Sequence, residues 1–259
     1  MGDFLEEVRA LKRSEIDALG RAAARRRREG RLAAASPPRD FRAALSGGSG
    51  HRIIAEIKKA SPSRGVLRRE FEPARLALHY REGGAAALSV LTDECYFQGS
   101  PAHLEEARRA ADLPALRKDF LIDSVQVEES RAMGADAVLL IVRLLSSRQL
   151  SRLMRETVAL GMAPLVEVHA ESELAIALDS GADLIGVNSR DLGSFQVDPE
   201  VCLRLAKRIP GDVLAIAESG IRERSDLDRL AHSGYRAFLV GERLMTAPDP
   251  TALLKEWTR

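Results

Sequence analysis

Residues 134–189, GADAVLLIVRLLSSRQLSRLMRETVALGMAPLVEVHAESELAIALDSGADLIGVNS, carry the pattern on which the fold turns. Three short runs of aliphatic and β-branched residues, AVLLIV, APLVEV and LIGVNS, alternate with two stretches of helical period, SSRQLSRLMRETVALG and SELAIALDSG. At Gly134-Ala135-Asp136 and again at Gly181-Ala182-Asp183, a glycine closes a helix and the next strand opens behind it. Strictly alternating strand and helix implies a parallel sheet, because parallel neighbours need a crossover between them.

The same alternation extends in both directions. RIIAEIK, AALSVLT and ALRKD precede the segment and VLAIAES and AFLVG follow it, with helical stretches such as SPAHLEEARRAA, SVQVEESRAMG and RSDLDRLAHSG between strands and further glycine joints at Gly84-Ala85 and Gly234-Tyr235. Eight strands, each with a helix candidate behind it, predict an α/β protein of the (β/α)8 TIM-barrel type, for which about 250 residues is typical. The pattern leaves a doubly wound open sheet as the alternative. Residues 1–50 stand outside the repeat. They read as helical from Phe4 to Leu32, break at Ser36-Pro37-Pro38, resume from Asp40 to Leu45 and end in the linker SGGSG. The predicted organisation is an N-terminal helical extension, 1–50, packing on the rim of a catalytic barrel, 51–259, in one structural domain.

Composition narrows the partners. Across 259 residues, 39 Lys and Arg face 38 Asp and Glu, so no global field favours nucleic acid or an anionic membrane. The basic run Arg25 to Arg28 is flanked by acidic residues and lacks interleaved aromatics, which favours a solvated helix face over a nucleic-acid site. Cys95 and Cys202 form no CxxC or Cys/His cluster, so neither a disulfide framework nor a metal site is expected. The first fifteen residues lack the apolar core of a signal peptide, and no apolar run approaches the roughly 20 residues that span a bilayer. The expectation is a cytoplasmic protein with a small-molecule partner.

Polar residues that interrupt strands locate the chemistry. In a closed barrel alternate residues point inward and the active site lies at the C-terminal strand ends. Glu56 and Lys58 stand at the end of the first strand, Lys118 ends the third, Glu167 the fifth and Asn188 the sixth, with Arg190 just beyond. Glu218, Ser219 and Gly220 end the seventh. A single one of these reads equally well as a rim salt bridge, but their joint occurrence on one rim points to a polar reaction site. Gly220 and Gly241, after the seventh and eighth strands, stand where barrels present backbone N–H groups to a phosphate, although tight turns would also call for glycine. No GxGxxG after a first strand, no GxxxxGK[ST] and no HExxH occurs, so nucleotide, nicotinamide and zinc chemistry lack support.

The segment IAEIKKASPSRG resembles the signature of the indole-3-glycerol phosphate synthase family, and the similarity continues through LTDECYFQGS, LPALRKDFLID, GADAVLLIV, PLVEVH, LIGVNSRDLGSFQVD, IAESGI and FLVGERLM. It spans the whole barrel in the family's order. Ser124-Val125 departs from the Pro-Tyr or similar pair often found there, beyond the lysine and therefore with consequences for a helix, not for the chemistry.

The resemblance implies a cofactor-free (β/α)8-barrel enzyme converting 1-(2-carboxyphenylamino)-1-deoxyribulose 5-phosphate into indole-3-glycerol phosphate, CO2 and water. It implies Lys118 as the acid for ring closure, Lys58 as electrostatic partner of the substrate carboxylate and acid for loss of hydroxide, and Glu167 as base. Glu56 would hold Lys58 and Asn188 orient the site. Ser61, Arg190 and Glu218 would bind substrate, with Phe97, Leu139 and Ile141 as an apolar wall, and Ser219, Gly220, Gly241 and Glu242 would hold the phosphate. The loop SPSRG is expected to act as a mobile cover hinged at Gly65. A monomer is expected, with association with other tryptophan-pathway enzymes left open. Three other readings of the sequence remain: phosphoribosylanthranilate isomerase, expected to use a Cys/Asp pair at strand ends; a Schiff-base aldolase using Lys58 or Lys118; and a nucleic-acid-binding scaffold.

Overall fold

Each of the eight predicted strands pairs in parallel with two neighbours. The computed structural model describes residues 4–28, 30, 32, 35–48 and 50–259, with backbone alone at 23–28. The strands are β1 (Arg52–Ile57), β2 (Ala87–Leu91), β3 (Ala115–Lys118), β4 (Ala137–Ile141), β5 (Ala163–Val168), β6 (Leu184–Asn188), β7 (Leu214–Glu218) and β8 (Ala237–Val240). They close in sequence order, β1 pairing with both β2 and β8. The doubly wound alternative is thereby excluded.

The closure follows from what each strand must bury. Both faces of these strands are apolar, so each needs helices outside and a filled interior within. Inside, Ile54, Leu116, Leu139, Leu165 and Ile216 are fully or almost fully buried. Each lies two residues before the strand-end position on the same face, so they form an apolar plug under the rim. Outside, Leu104, Leu150, Leu153, Leu174 and Leu227 bring the helices onto the sheet. Helix starts are capped locally: Asp123 with Gln126 and Ser146 with Gln149 form capping boxes, so Ser124-Val125 simply opens the helix Ser124–Ala132. Gly84, Gly134, Gly181 and Gly234 all have φ between +81° and +110°, the left-handed conformation that ends these helices.

The N-terminal helix runs Phe4–Arg28; of the remaining residues predicted helical to Leu32, residue 30 is a turn, Leu32 is helical, and 29 and 31 lie outside the described residues. The side chains of Arg25 to Arg28 lie outside them too. A second helix, Phe41–Ser46, starts where Asp40 accepts from the Ala43 N–H at 2.8 Å. Leu5 and Val8 are buried, and Phe4 packs edge-on against Tyr96 and Phe195 at ring separations of 4.9 and 5.0 Å. The segment expected to be a loop after β1 is instead an antiparallel hairpin, Ala60–Ser61 with Gly65–Val66, and Gly65 supplies its φ of +65°. No helix among the described residues is long and apolar enough to cross a membrane.

Candidate active site

The strand register sets four charged or amide side chains, Lys118, Glu167, Asn188 and Glu218, on one rim. Leu91 pairs with Lys118, Ile141 with Glu167, Glu167 with Gly186, and Asn188 with Glu218. At the centre, the Lys118 ammonium donates to Glu167 Oε2 at 2.9 Å and to Glu218 Oε2 at 2.8 Å. Gly186 makes this clasp possible: a β-carbon there would overlap Glu218 Oε1, so only glycine lets that carboxylate swing across β6. Gly241 has the same relation to Glu56, whose Oε1 would collide with a β-carbon at 241. The Glu56 carboxylate, held there, accepts from Lys58 Nζ at 2.5 Å. Gly241 was expected to serve a phosphate; its first structural duty is to admit Glu56.

Burial and charge set the protonation of the cluster. Burial works against the Lys118 ammonium, but Glu167, Glu218 and Glu56 outweigh it and raise its pKa well above that of free lysine. Burial pushes the Glu167 carboxyl up, yet Lys118 and His169 overcome it and hold the group below the usual carboxylate range. Glu218 goes the other way: burial, reinforced by the neighbouring Glu167 charge, lifts it to about 7 in spite of Lys118. Two carboxyls about one ammonium therefore divide into one ionised and one that holds a proton near neutrality.

Asn188 Oδ1 accepts from Ser219 Oγ at 2.8 Å and from the Arg190 N–H at 3.0 Å, tying the end of β6 to the turn after β7. Ser219 and Gly220 both have positive φ, 66° and 76°; for serine this is a strained conformation. Arg190 donates to Phe195 O at 3.0 Å and lies 3.6 Å from Glu242, while Arg64 of the hairpin reaches Glu242 at 2.9 Å. The hairpin is thus latched across the mouth to the corner after β8.

Every catalytic, substrate-binding and phosphate-binding candidate named from the sequence lines one cavity of about 620 Å3. Lys58 and Lys118 both line it, from the ends of β1 and β3, Phe97, Leu139 and Ile141 form apolar wall, and Ser219, Gly220, Gly241 and Glu242 lie at the β7–β8 end. The structure adds Phe4 and Phe195 to the lining, their rings meeting edge-on. It also adds two clusters of ionisable groups around the site. Lys12 of the N-terminal helix is ion-paired with Asp93 and Asp119 at 2.8 and 2.9 Å. Behind Glu167, His169 touches Glu173, which Arg143 holds at 2.8 Å. A sequence signal existed for His169, two positions after Glu167 and so of the same strand parity; none existed for Lys12. Cys95 is exposed in the helix Glu94–Phe97 and Cys202 is buried in Glu200–Ala206, so neither stands at a strand end as the isomerase reading requires.

A closed parallel barrel whose C-terminal rim gathers two lysines, three glutamates and an asparagine around one cavity defines a (β/α)8-barrel enzyme equipped for proton transfer on a small polar molecule. Residues 5–257 match the family model described as "Indole-3-glycerol phosphate synthase". The indole-3-glycerol phosphate synthase of Aromatoleum aromaticum is 46% identical over 256 residues, covering 96% of this chain and 97% of its own. That of Koribacter versatilis is 49% identical over 238 residues, 91% of this chain and 92% of its own. The chain belongs to the indole-3-glycerol phosphate synthase family. Among solved structures, an N-acetylmannosamine-6-phosphate 2-epimerase from Clostridium perfringens superposes with a TM-score of 0.60 at 16% identity, covering 83% of this chain and 93% of that one, a likeness of fold alone.

Proposed function

We propose that this enzyme is a carboxy-lyase that closes the indole ring of 1-(2-carboxyphenylamino)-1-deoxyribulose 5-phosphate and releases indole-3-glycerol phosphate, CO2 and water. The observation that carries the reading is the Lys118 ammonium clasped by Glu167 and Glu218 and facing a cavity that Lys58 also enters. Ring closure builds an alkoxide from the ribulose carbonyl. Lys118, fully charged at neutral pH, first stabilises that oxygen as a hydrogen-bond donor and yields its proton as the oxygen becomes the stronger base. The transfer then changes Glu167. Its low pKa depends on the Lys118 charge, so losing that charge makes Glu167 more basic when a proton has to leave the substrate. Acid and base are thereby coupled in the required order.

Lys58, fixed by Glu56, serves the substrate carboxylate and then the departing hydroxide. Asn188 orients Ser219, and Ser219, Gly220, Gly241 and Glu242 form the phosphate end. Ser61, Arg190 and Glu218 contact the substrate, while Phe97, Leu139 and Ile141 take the aromatic ring. Residues 1–50 serve the barrel, 51–259, as a cover on this rim. A monomeric, cytoplasmic enzyme acting on a soluble phosphorylated substrate fits the balanced charge.

Purified protein mixed with the carboxyphenylamino deoxyribulose phosphate, without added cofactor, should develop indole fluorescence. Lys118→Ala should lower kcat roughly 100-fold to 10,000-fold, the usual worth of a positioned acid. An unchanged rate in that variant would sink the assignment of Lys118, and absence of product from folded wild-type protein would sink the function.

A further inference from the structure

None of residues 190–197, the loop that follows β6, is buried, yet Arg190, Leu192, Phe195 and Val197 line the cavity. Apolar burial alone does not fix this stretch of wall, and Phe195 holds a φ of +58°, a left-handed conformation that costs a bulky residue free energy. Asp191 supplies the framework. Its Oδ1 accepts from the N–H groups of Gly193 and Ser194 at 3.0 and 2.8 Å and from Ser194 Oγ at 3.0 Å. Its carbonyl accepts from the Phe195 N–H at 2.8 Å, and Arg190 donates to Phe195 O. These bonds leave the second carboxylate oxygen for a partner outside the loop.

That partner is Arg143, in the 3-10 turn Val142–Leu144 that follows β4. One arm of its guanidinium donates to Asp191 Oδ2 at 2.9 Å, and Nε donates at 2.8 Å to Glu173 Oε1 on the helix Glu171–Asp179 behind β5. A planar guanidinium holds two such acceptors in a fixed relation, which a lysine ammonium does not. The Ser194 N–H and Arg143 hold the Asp191 carboxyl down at about 2, so the pair is charged at neutral pH. The Arg143 carbonyl accepts at 2.9 Å from Arg9, on the N-terminal helix that also carries Phe4. One residue thus bonds the N-terminal helix, the helix behind β5 and the β6 loop, and Phe4 of the first meets Phe195 of the last at 5.0 Å. The Arg143 and Asp191 side chains are 29% and 49% exposed, so the pair adds little to global stability; what it selects is one arrangement of the loop.

We propose that Arg143 is a positioning residue for substrate binding: its side chain locks the β6 loop through Asp191 and its carbonyl anchors the N-terminal helix through Arg9, so that Arg190, Leu192 and Phe195 line the cavity together with Phe4. This rests on the cavity being the substrate site. Lys118, Glu167 and Glu218 stand on the strands themselves and are clasped to one another, so their geometry does not depend on the loop. Glu173 keeps its bond from the His169 backbone N–H, at 2.7 Å, when the Arg143 side chain is lost. The loop therefore serves binding of substrate and transition state alike, and loss of such uniform binding raises KM while leaving kcat in place.

The test is steady-state kinetics with the carboxyphenylamino deoxyribulose phosphate for Arg143→Met, Asp191→Asn and the double variant. Asparagine keeps an oxygen for the Gly193 and Ser194 N–H groups but sets an amide NH2 against Arg143, so it breaks the link and spares the turn. Expected are a KM raised about tenfold in Arg143→Met and about fivefold in Asp191→Asn, with kcat within about twofold of wild type in both. The double variant should be no worse than Arg143→Met, because both substitutions cut one link. A KM within about twofold of wild type in folded Arg143→Met, a loss that falls on kcat, or single effects that multiply in the double variant would each overturn the proposal. Should Arg143→Met not fold, Asp191→Asn decides by the same limits. If folded wild type gave no product, the function would fail, and hydrogen exchange would decide on Arg143. The amides of Gly193, Ser194 and Phe195 should then exchange about tenfold faster in Arg143→Met, and equal rates would overturn its role.

Discussion

Lys12 Nζ lies 2.9 Å from Asp119 Oδ1, so the N-terminal helix is ion-paired to the residue that follows Lys118 in the chain. Burial works against the Lys12 ammonium, yet Asp119 and Asp93 raise its pKa and keep it charged. Asp119 is correspondingly held low, at about 2, by Arg117 and Lys12 against the effect of burial. The N-terminal helix is thus fastened by charge to the segments that follow β2 and β3.

Lys12→Met should leave two buried carboxylates short of a cation. Removing one partner of a buried ion pair typically costs about 3–5 kcal/mol. Urea unfolding of the variant should show a loss of this order together with faster proteolysis within residues 4–28. Unchanged stability would mean that the helix is held by Leu5, Val8 and Phe4 alone.

Gly186→Ala should damage catalysis with little effect on the fold. A β-carbon there displaces the Glu218 carboxylate and leaves Lys118 held by Glu167 only. Misplacing a catalytic group by about 1 Å can cost on the order of 100-fold, and a fall of that size in kcat is expected. Wild-type kcat in this variant would show that the Glu218 arm of the clasp is dispensable.

Glu218→Gln should make stability less dependent on pH. The folded-state pKa of Glu218, about 7, lies above its ordinary 4.5. Its contribution is therefore fully present below about 4.5 and is lost as pH rises through 7. Glutamine has no such loss, so the Tm of the variant relative to wild type should climb between pH 5 and pH 8. A difference that stayed flat or fell would contradict a proton on Glu218.

Glu56→Gln should lower kcat by roughly 10-fold to 100-fold, because Lys58 loses the carboxylate that fixes its ammonium. Steady-state kinetics with KM and kcat resolved checks this. Retention of full kcat would make the Glu56–Lys58 pair structural.

What local sequence determined here is the barrel and the membership of its rim. Alternation of side chains along a strand has a period of two, so Glu56, Glu167, Asn188 and Glu218 betray their inward direction without any knowledge of their neighbours. Glycine at a helix end and the shift to helical period behind each strand are equally local, and they count eight units. What only the tertiary structure decided is which of these groups touch. The division of Glu167 and Glu218 into ionised and protonated partners arises because closure brings both to one ammonium in a buried place. Gly186 and Gly241 read as ordinary glycines until the carboxylates that need their missing β-carbons are seen across the strands. The hairpin after β1 reads as loop because two-residue strands are too short to show a period. Lys12 lies on a helix rich in charge, and nothing in its surroundings along the chain marks it for burial between Asp93 and Asp119. Periodicity is a property of the chain in its own neighbourhood; ion pairing and desolvation depend on distances between segments far apart in sequence, and these exist only once the barrel has closed.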